Sequence, residues 1–359
     1  MKKTLIALAA LAATGATLAQ SSVTIYGRMD LGTSSTDTTQ VGSTPAGVAA
    51  ATVGESFSLA GAEGQRTGSR LGFRGTEDLG GGLRANFVYE IGINADRLTP
   101  VGTSPANNAQ TRLANLSLSG GFGTVVVGTF MNAFDAVRAF SPATANAPGG
   151  DFTLGHGAAT TERFDSRTQN AIAYVSPAFS GFTFQVGTVN EEHADRKYDG
   201  MILGLRYSQG PLAAQFAFGQ LDVAYHAPLL GAGSTSATPS NAEITNWALG
   251  VSYTLAPVVL SFIYEDAEQS FGPTTTREHN AWEIGARFPM GAFAPYITVG
   301  QGEITAGTIS TDTSAWQIGT TYNLSTRTFV YAAFGELELD RPGFARQTDG
   351  YRIGLVHNF

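Results

Sequence analysis

SRLGFRGTEDLGGGLRANFVYE, residues 69–90, reads as two strands joined by a tight polar turn. Leu71 and Phe73 alternate with Arg70, Gly72 and Arg74. Beyond the turn, Ala85, Phe87, Tyr89 and Ile91 alternate with Arg84, Asn86, Val88 and Glu90. Successive side chains of a strand point to opposite faces, so each strand carries one apolar face and one charged face. The turn from Glu77 to Gly82 supplies carboxylates and glycines for a sharp reversal. Such a hairpin suits a soluble sandwich as well as a membrane wall, and the rest of the chain decides between them.

Working outward, the beginning of the chain points to export. Lys2 and Lys3 precede an apolar run from Leu5 to Leu11, and Ala16-Thr17-Leu18-Ala19 gives small residues at cleavage spacing. This predicts a secretory signal peptide over residues 1–19, with a single domain over 20–359. The run is too short to span a bilayer as a helix. Without the two leading lysines, 19 basic residues face 29 acidic ones, which argues against nucleic acid as a partner. There is no cysteine, so neither a disulfide framework nor a thiolate metal site exists. Charged residues make up only 14% of the chain against 43% hydrophobic, with 44 glycines and no helical periodicity. Two classes remain: a large secreted β-protein, and an outer-membrane barrel that is apolar toward lipid and polar toward its lumen.

The order of strands and turns favours the barrel. Val23 to Leu31 opens a series of alternating segments, and the 69–90 hairpin follows. Further hairpins turn at Gly120–Gly123, Pro177–Ser180, Ser208–Pro211, Leu255–Pro257, Pro289–Ala292 and Asn323–Thr326, and Gln347 to Phe359 ends the series. One strand, seven hairpins and one strand give sixteen. Pairing of the first strand with the last would close the sheet and remove edges that lipid cannot satisfy. Between the hairpins lie longer polar connections at 32–64, 94–109, 132–166, 191–197, 223–242, 268–277, 304–311 and 339–346. Short turns on one side and long loops on the other are the pattern of outer-membrane barrels. Aromatics gather beside the short turns, among them Phe122, Phe182, Tyr207, Tyr253, Phe288 and Tyr322, as an interfacial girdle requires. Two residues break the parity. Arg112 falls on the outward face with Leu116 and Leu118, and Phe334 falls on the lumen face; a bulge would explain either.

At this point the chain resembles the Gram-negative trimeric general porins, most closely those of betaproteobacteria. The matching stretches are SSVTIYGRMD, SRLGFRGTEDLGGGL, LSLSGGFGTVVVGTF, NAIAYVSPAFSGF and the terminal YRIGLVHNF. The resemblance implies an all-β fold, a 16-stranded antiparallel transmembrane β-barrel, with a constriction loop over 132–166 folded into the lumen. It also implies a homotrimer in the outer membrane, in contact with lipid and lipopolysaccharide, whose terminal Phe359 is read by the barrel assembly machinery. The chain departs from the family at two positions. Thr129 and Val356 stand where relatives usually or often carry a basic residue, which weakens the expectation of strong anion selectivity.

Transport through such a pore is passive, and the chemistry is selection by size and by field. The candidates on the pore wall are Arg28, Arg70, Arg74 and Arg84, all on predicted lumen faces, with Arg167 also inward. Asp135, Asp151 and Glu162 on the loop oppose them, with Arg138 beside them. The implied function is passive diffusion of small hydrophilic solutes and ions. The alternatives are a pore selective for sugars or organic acids, and a surface adhesin. The sequence contains no G-x-S-x-G elbow, no P-loop and no H-E-x-x-H spacing, so neither enzyme chemistry, a metal nor a cofactor is expected. A sugar-selective pore would want a line of lumen aromatics, and only Tyr26 and Tyr296 are expected inward.

Overall fold

The computed structural model describes residues 22–44, 53–59, 68–93, 111–143, 148, 150, 167–193, 196–225, 240–271 and 274–359. The expected signal segment lies outside them. The described residues form one closed antiparallel barrel. Its wall begins with β1 (Ser22–Val41), and a short β2 (Gly54–Leu59) extends the sheet above β3 (Arg70–Gly80). The wall continues through β4 (Leu83–Gly92), β5 (Thr111–Gly120), β6 (Gly123–Met131), β7 (Arg167–Val175) and β8 (Phe182–His193). It is completed by β9 (Arg196–Gln209), β10 (Leu212–Tyr225), β11 (Ser240–Leu255), β12 (Val258–Phe271), β13 (Thr274–Arg287), β14 (Phe293–Ala306), β15 (Ile309–Asn323), β16 (Thr328–Arg341) and β17 (Phe344–Asn358).

Closure runs from Arg28↔Asn358 to Val41↔Ala345. On its other side β1 pairs with β3 from Ser22 to Arg28 and with β2 from Thr33 to Thr38. β2 therefore takes no separate place in the ring, and the wall has the sixteen strands that the hairpin order predicts. At the seam Gly27 and Phe359 exchange both backbone hydrogen bonds, 3.0 and 3.1 Å. The Phe359 ring lies over Gly27, where any side chain would collide with it.

The barrel is not equally tall all round. β3 to β7 are 9–11 residues long, whereas β9 to β17 are 14–16. Segments 304–311 and 339–346, expected as longer loops, are mostly strand, reduced to the two-residue turns Gly307-Thr308 and Pro342-Gly343. Their inward residues Ile304, Leu339 and Phe344 are buried together while Asp340 is exposed on the other face, so each segment is strand and not loop. Glycines 307 and 343 take left-handed φ values of 62° and 81° in these turns, a conformation open to glycine at little cost.

Parity settles the two faces. Ile25, Leu116, Ile172, Leu205, Ile284, Ile318 and Ile353 are exposed on the outside, while Asp30, Glu90, Gln215, Glu283 and Gln317 are buried on the inside. An apolar exterior over a polar interior inverts a soluble protein and fits a wall immersed in lipid. Phe334 corrects the parity expected for its strand. It is exposed, packs on Trp316 with ring centroids 5.5 Å apart, and needs no bulge, because Tyr331, Ala333 and Gly335 are the inward residues. The expected girdle is present beside the short turns, with Phe182 and Tyr207 in ring contact at 4.7 Å. A second aromatic row, Phe216, Trp247 and Tyr264, runs higher on the tall wall. Above it a belt of carboxylates faces outward, with like charges directly opposite each other at Asp222↔Glu243, Glu268↔Glu278, Glu303↔Asp312 and Asp312↔Asp340.

Candidate functional site: the pore wall and the inward loop

The first half of the site is the lumen face of β1, β3, β4 and β5. Glu90 is its centre, buried to 5% exposure on the inward face of β4. It accepts a hydrogen bond from Arg112 Nε at 2.7 Å and lies 3.8 Å from Arg70 Nη1. The Tyr26 hydroxyl also hydrogen-bonds to it. Arg74 covers the other side of Tyr26, its guanidinium 5.2 Å from the ring centroid, in cation–π geometry. Arg28 donates from Nε to Asn358 at 2.8 Å, which fixes it at the seam. Next to it Asp30 is fully buried and accepts from Tyr331 Oη at 3.0 Å, with Arg352 of β17 within electrostatic reach.

Arg112 reaches Glu90 because β5 is irregular there. Glu90 pairs with Leu113 and Ile91 with Thr111, so Arg112 is an extra residue with no partner across the strand. A bulge of this kind re-aims a side chain, here from the lipid face to the lumen. A second irregularity acts on Arg167. Gly128 pairs with Ala171 but Phe130 with Thr168, and Asn170 takes φ 45°. Thr168 is buried inside beside Phe130, and Arg167 stands in register with half-exposed Met131. The bulge thus reverses the parity that placed Arg167 with Ala171 and Ala173. Arg84 keeps its inward parity. It pairs with Ser119 beside the turn, six residues or roughly 20 Å along β4 from Glu90. It belongs to the mouth of the barrel and not to its middle.

The second half is the chain that leaves β6. Asn132 is buried, bonds to Thr168 Oγ1 at 3.2 Å, and caps α1 (Ala133–Arg138) by accepting from the N–H groups of Phe134 and Asp135. Asp135 in the first turn and Arg138 in the last complement the ends of this short helix. Phe134 and Val137 are completely buried against Ile202, Ala217, Ile244, Ala248 and Ile263 on the inside of β9 to β12. β10 lies eight places round the ring from β1, so the apolar side of the helix rests on the wall opposite the arginines. Asp135 acts electrostatically on Arg70. Asp151 and Glu162 lie outside the described residues.

Sequence reasoning missed three participants. Arg112 breaks the parity of its strand in the sequence, and the bulge that explains this turns it into the lumen. Arg352 was legible, because it alternates with the outward Tyr351, Ile353 and Leu355 just as Arg70 does with Leu71. Tyr331 is inward because the faces of its strand are opposite to those expected from Phe334. Val356, one of the two departures from the family, is inward, fully buried and paired with Asp30.

This chain belongs to the family of Gram-negative porins, whose pattern its residues 4–342 match. It is 31% identical over 371 residues to outer membrane porin protein 32 of Delftia acidovorans, covering 99% of this chain and 92% of that one. An outer membrane porin protein of Bordetella pertussis is 30% identical, covering 92% of this chain and 93% of its own. Among solved structures the fold matches an anion-selective porin from Comamonas acidovorans with TM-score 0.69 and 23% identity, over 95% of this chain and all of that one. It also matches OmpT of Vibrio cholerae in its trimer form, TM-score 0.67 at 16% identity, over 94% and 99% of the two chains. The protein is therefore an outer-membrane β-barrel channel and not an enzyme.

Proposed function

We propose that the channel is a general diffusion pore for small hydrophilic solutes and ions, with a preference for anions set by the arginine wall. The observation that carries this reading is the charge arrangement at the narrowing. Among the described residues, Arg28, Arg70, Arg74, Arg112 and Arg352 share one side of the lumen with Asp30 and Glu90, while Asp135 acts on Arg70 from the loop. A fixed excess of positive charge on one wall and a carboxylate opposite it make a transverse field, which orients dipolar solutes and draws anions to the arginine side. Arginine keeps its charge at any relevant pH, so this preference is insensitive to pH near neutrality. The anion selectivity named for the Comamonas porin is in keeping with the same sign. Asp151 and Glu162 are proposed to add to the acidic side.

A sugar-selective pore is disfavoured by the state of its aromatics. Among the described residues three tyrosines face inward, but each lies flat over a glycine directly opposite: Tyr26 on Gly72, Tyr296 on Gly319 and Tyr331 on Gly354. Their hydroxyls are engaged with Glu90, Gln317 and Asp30. Rings used in this way form no stacking track.

We further propose a homotrimer joined through the outside of the short wall. Leu116, Leu118, Val127 and Ile172 are exposed there, and the carboxylate belt of the tall wall is missing among its described residues. The tall wall, with its aromatic rows and acidic rim, faces lipid and the lipopolysaccharide headgroups. Phe359, seated on Gly27 at the seam, is the residue that the assembly machinery would read.

The test is reversal potential in a salt gradient across a planar bilayer. The native channel should favour chloride over potassium. Arg70→Gln with Arg74→Gln should move the ratio toward unity by a factor of a few. An unchanged ratio would overturn the arginine-wall reading.

A further inference from the structure

From α1 onward the described part of the loop follows the tall wall from the inside, and at four places it lies on a glycine. A methyl group at Gly204 would stand 2.7 Å from Ala133 Cβ, and one at Gly250 2.7 Å from the Phe140 ring. At Gly285 it would stand 2.7 Å from Pro142, and at Gly335 it would collide with the carbonyl oxygen of Pro148. These glycines belong to β9, β11, β13 and β16, so the track crosses most of the tall wall. Between the last two seats stands Gln317 of β15, fully buried. Its Nε2 donates to the Pro148 carbonyl at 3.0 Å, and its Oε1 accepts from Tyr296 Oη at 2.5 Å. A buried amide with both ends matched holds its partner in one place, because a shift would leave polar groups unpaired.

We propose that Gln317 and the glycine track are positioning residues that set the bore of the pore. The glycines let the loop approach the strands to backbone contact, and Gln317 pins its far limb there. The distance of the loop from its own wall then fixes the width left between it and the arginines. This rests on the loop being the narrowing of the channel. It adds that the width is held from the wall side, by residues that never touch the permeating solute.

The experiment measures single-channel conductance and neutral-polymer exclusion for purified channels in planar bilayers. Gly250→Val lifts the loop toward the arginines and should lower conductance by about 1.5-fold, with a smaller polymer cut-off. Gln317→Leu unpins the limb and should shift both in the opposite direction. Gly187→Ala is the control, since the nearest atoms to a methyl there belong to β7, at Ala173 and Ile172, and it should leave both readings native. Gln317→Glu keeps the shape and is the second variant should Gln317→Leu or Gly250→Val fail to fold. Its ionised form repels the Pro148 carbonyl and should conduct like Gln317→Leu, whereas its protonated form can donate and should return to native conductance on acidification. Folding is read independently as heat-resistant migration on gels. Folded variants with native conductance and cut-off, or a Gln317→Glu channel with no pH response, would overturn the proposal. A native chain that does not conduct would instead overturn the channel itself.

Discussion

The short wall and the tall wall of this barrel are made from the same kind of alternating strand, yet they use their two faces differently. Inside the short wall, and at the seam where β17, β1 and β3 meet, the lumen face carries arginines around Glu90 and Asp30. Inside the tall wall the lumen face carries glycine, alanine and glutamine, with Glu265, His279 and Glu283 buried among them, and the loop lies against it. Outside, the short wall bears aliphatic residues with Tyr89 exposed among them, and the tall wall bears tryptophans below a belt of acids. Under the proposed function, one wall supplies the field and the other supplies the width.

The largest expected effect lies at the seam. Gly27→Val would drive a side chain into the Phe359 ring and toward the backbone oxygen of Arg70. Closure should fail, measured as loss of heat-resistant barrel and of outer-membrane yield. A normally assembled Gly27→Val protein would show that the two walls do not depend on this junction.

A charge on the outside separates the walls next. Ile284→Arg on the tall wall should disfavour insertion by about 2–4 kcal/mol, as for a cation at the middle of the bilayer, read as denaturant-unfolding stability in lipid vesicles. Leu116→Arg on the short wall should instead give folded barrels that run as monomers in size exclusion. Equal behaviour of the two variants would remove the distinction between a lipid face and a subunit face.

Within the lumen, Glu90→Gln removes the carboxylate shared by Arg70 and Arg112. Anion preference should rise by a factor of a few in reversal-potential measurements, opposite in sign to Arg70→Gln with Arg74→Gln. A fall would mean that the two arginines lose their place without Glu90.

The smallest effect concerns the acidic rim. Asp312 stands between Glu303 and Asp340 in register. Like charges directly opposite each other are destabilising, so Asp312→Asn should stabilise the barrel by about 0.2–1 kcal/mol at low salt, and less at high salt. Thermal unfolding at two ionic strengths checks the sign.

Much of this was legible from periodicity. Arg70 and Arg74 are inward because Leu71 and Phe73 are outward, and lipid on one side leaves each strand no freedom of register. Ring closure followed from the strand count. The heights of the strands were not legible, because a polar alternating segment reads the same as a loop until its partner strand is known. Nor were the seats of the loop legible, because four lumen glycines meet residues far away in the sequence.

The sequence by itself determined the ring of alternating strands, the lipid face and most of the inward arginines, since each depends only on the period of two within one strand. Tertiary structure alone decided three things. It placed α1 opposite the arginines, it turned Arg112 inward, and it tied Pro148 to Gln317 across 169 positions of chain. The physical reason is that a bulge and a loop seat are relations between strands. Their energy lies in paired backbone and buried contacts that no single stretch of the chain contains.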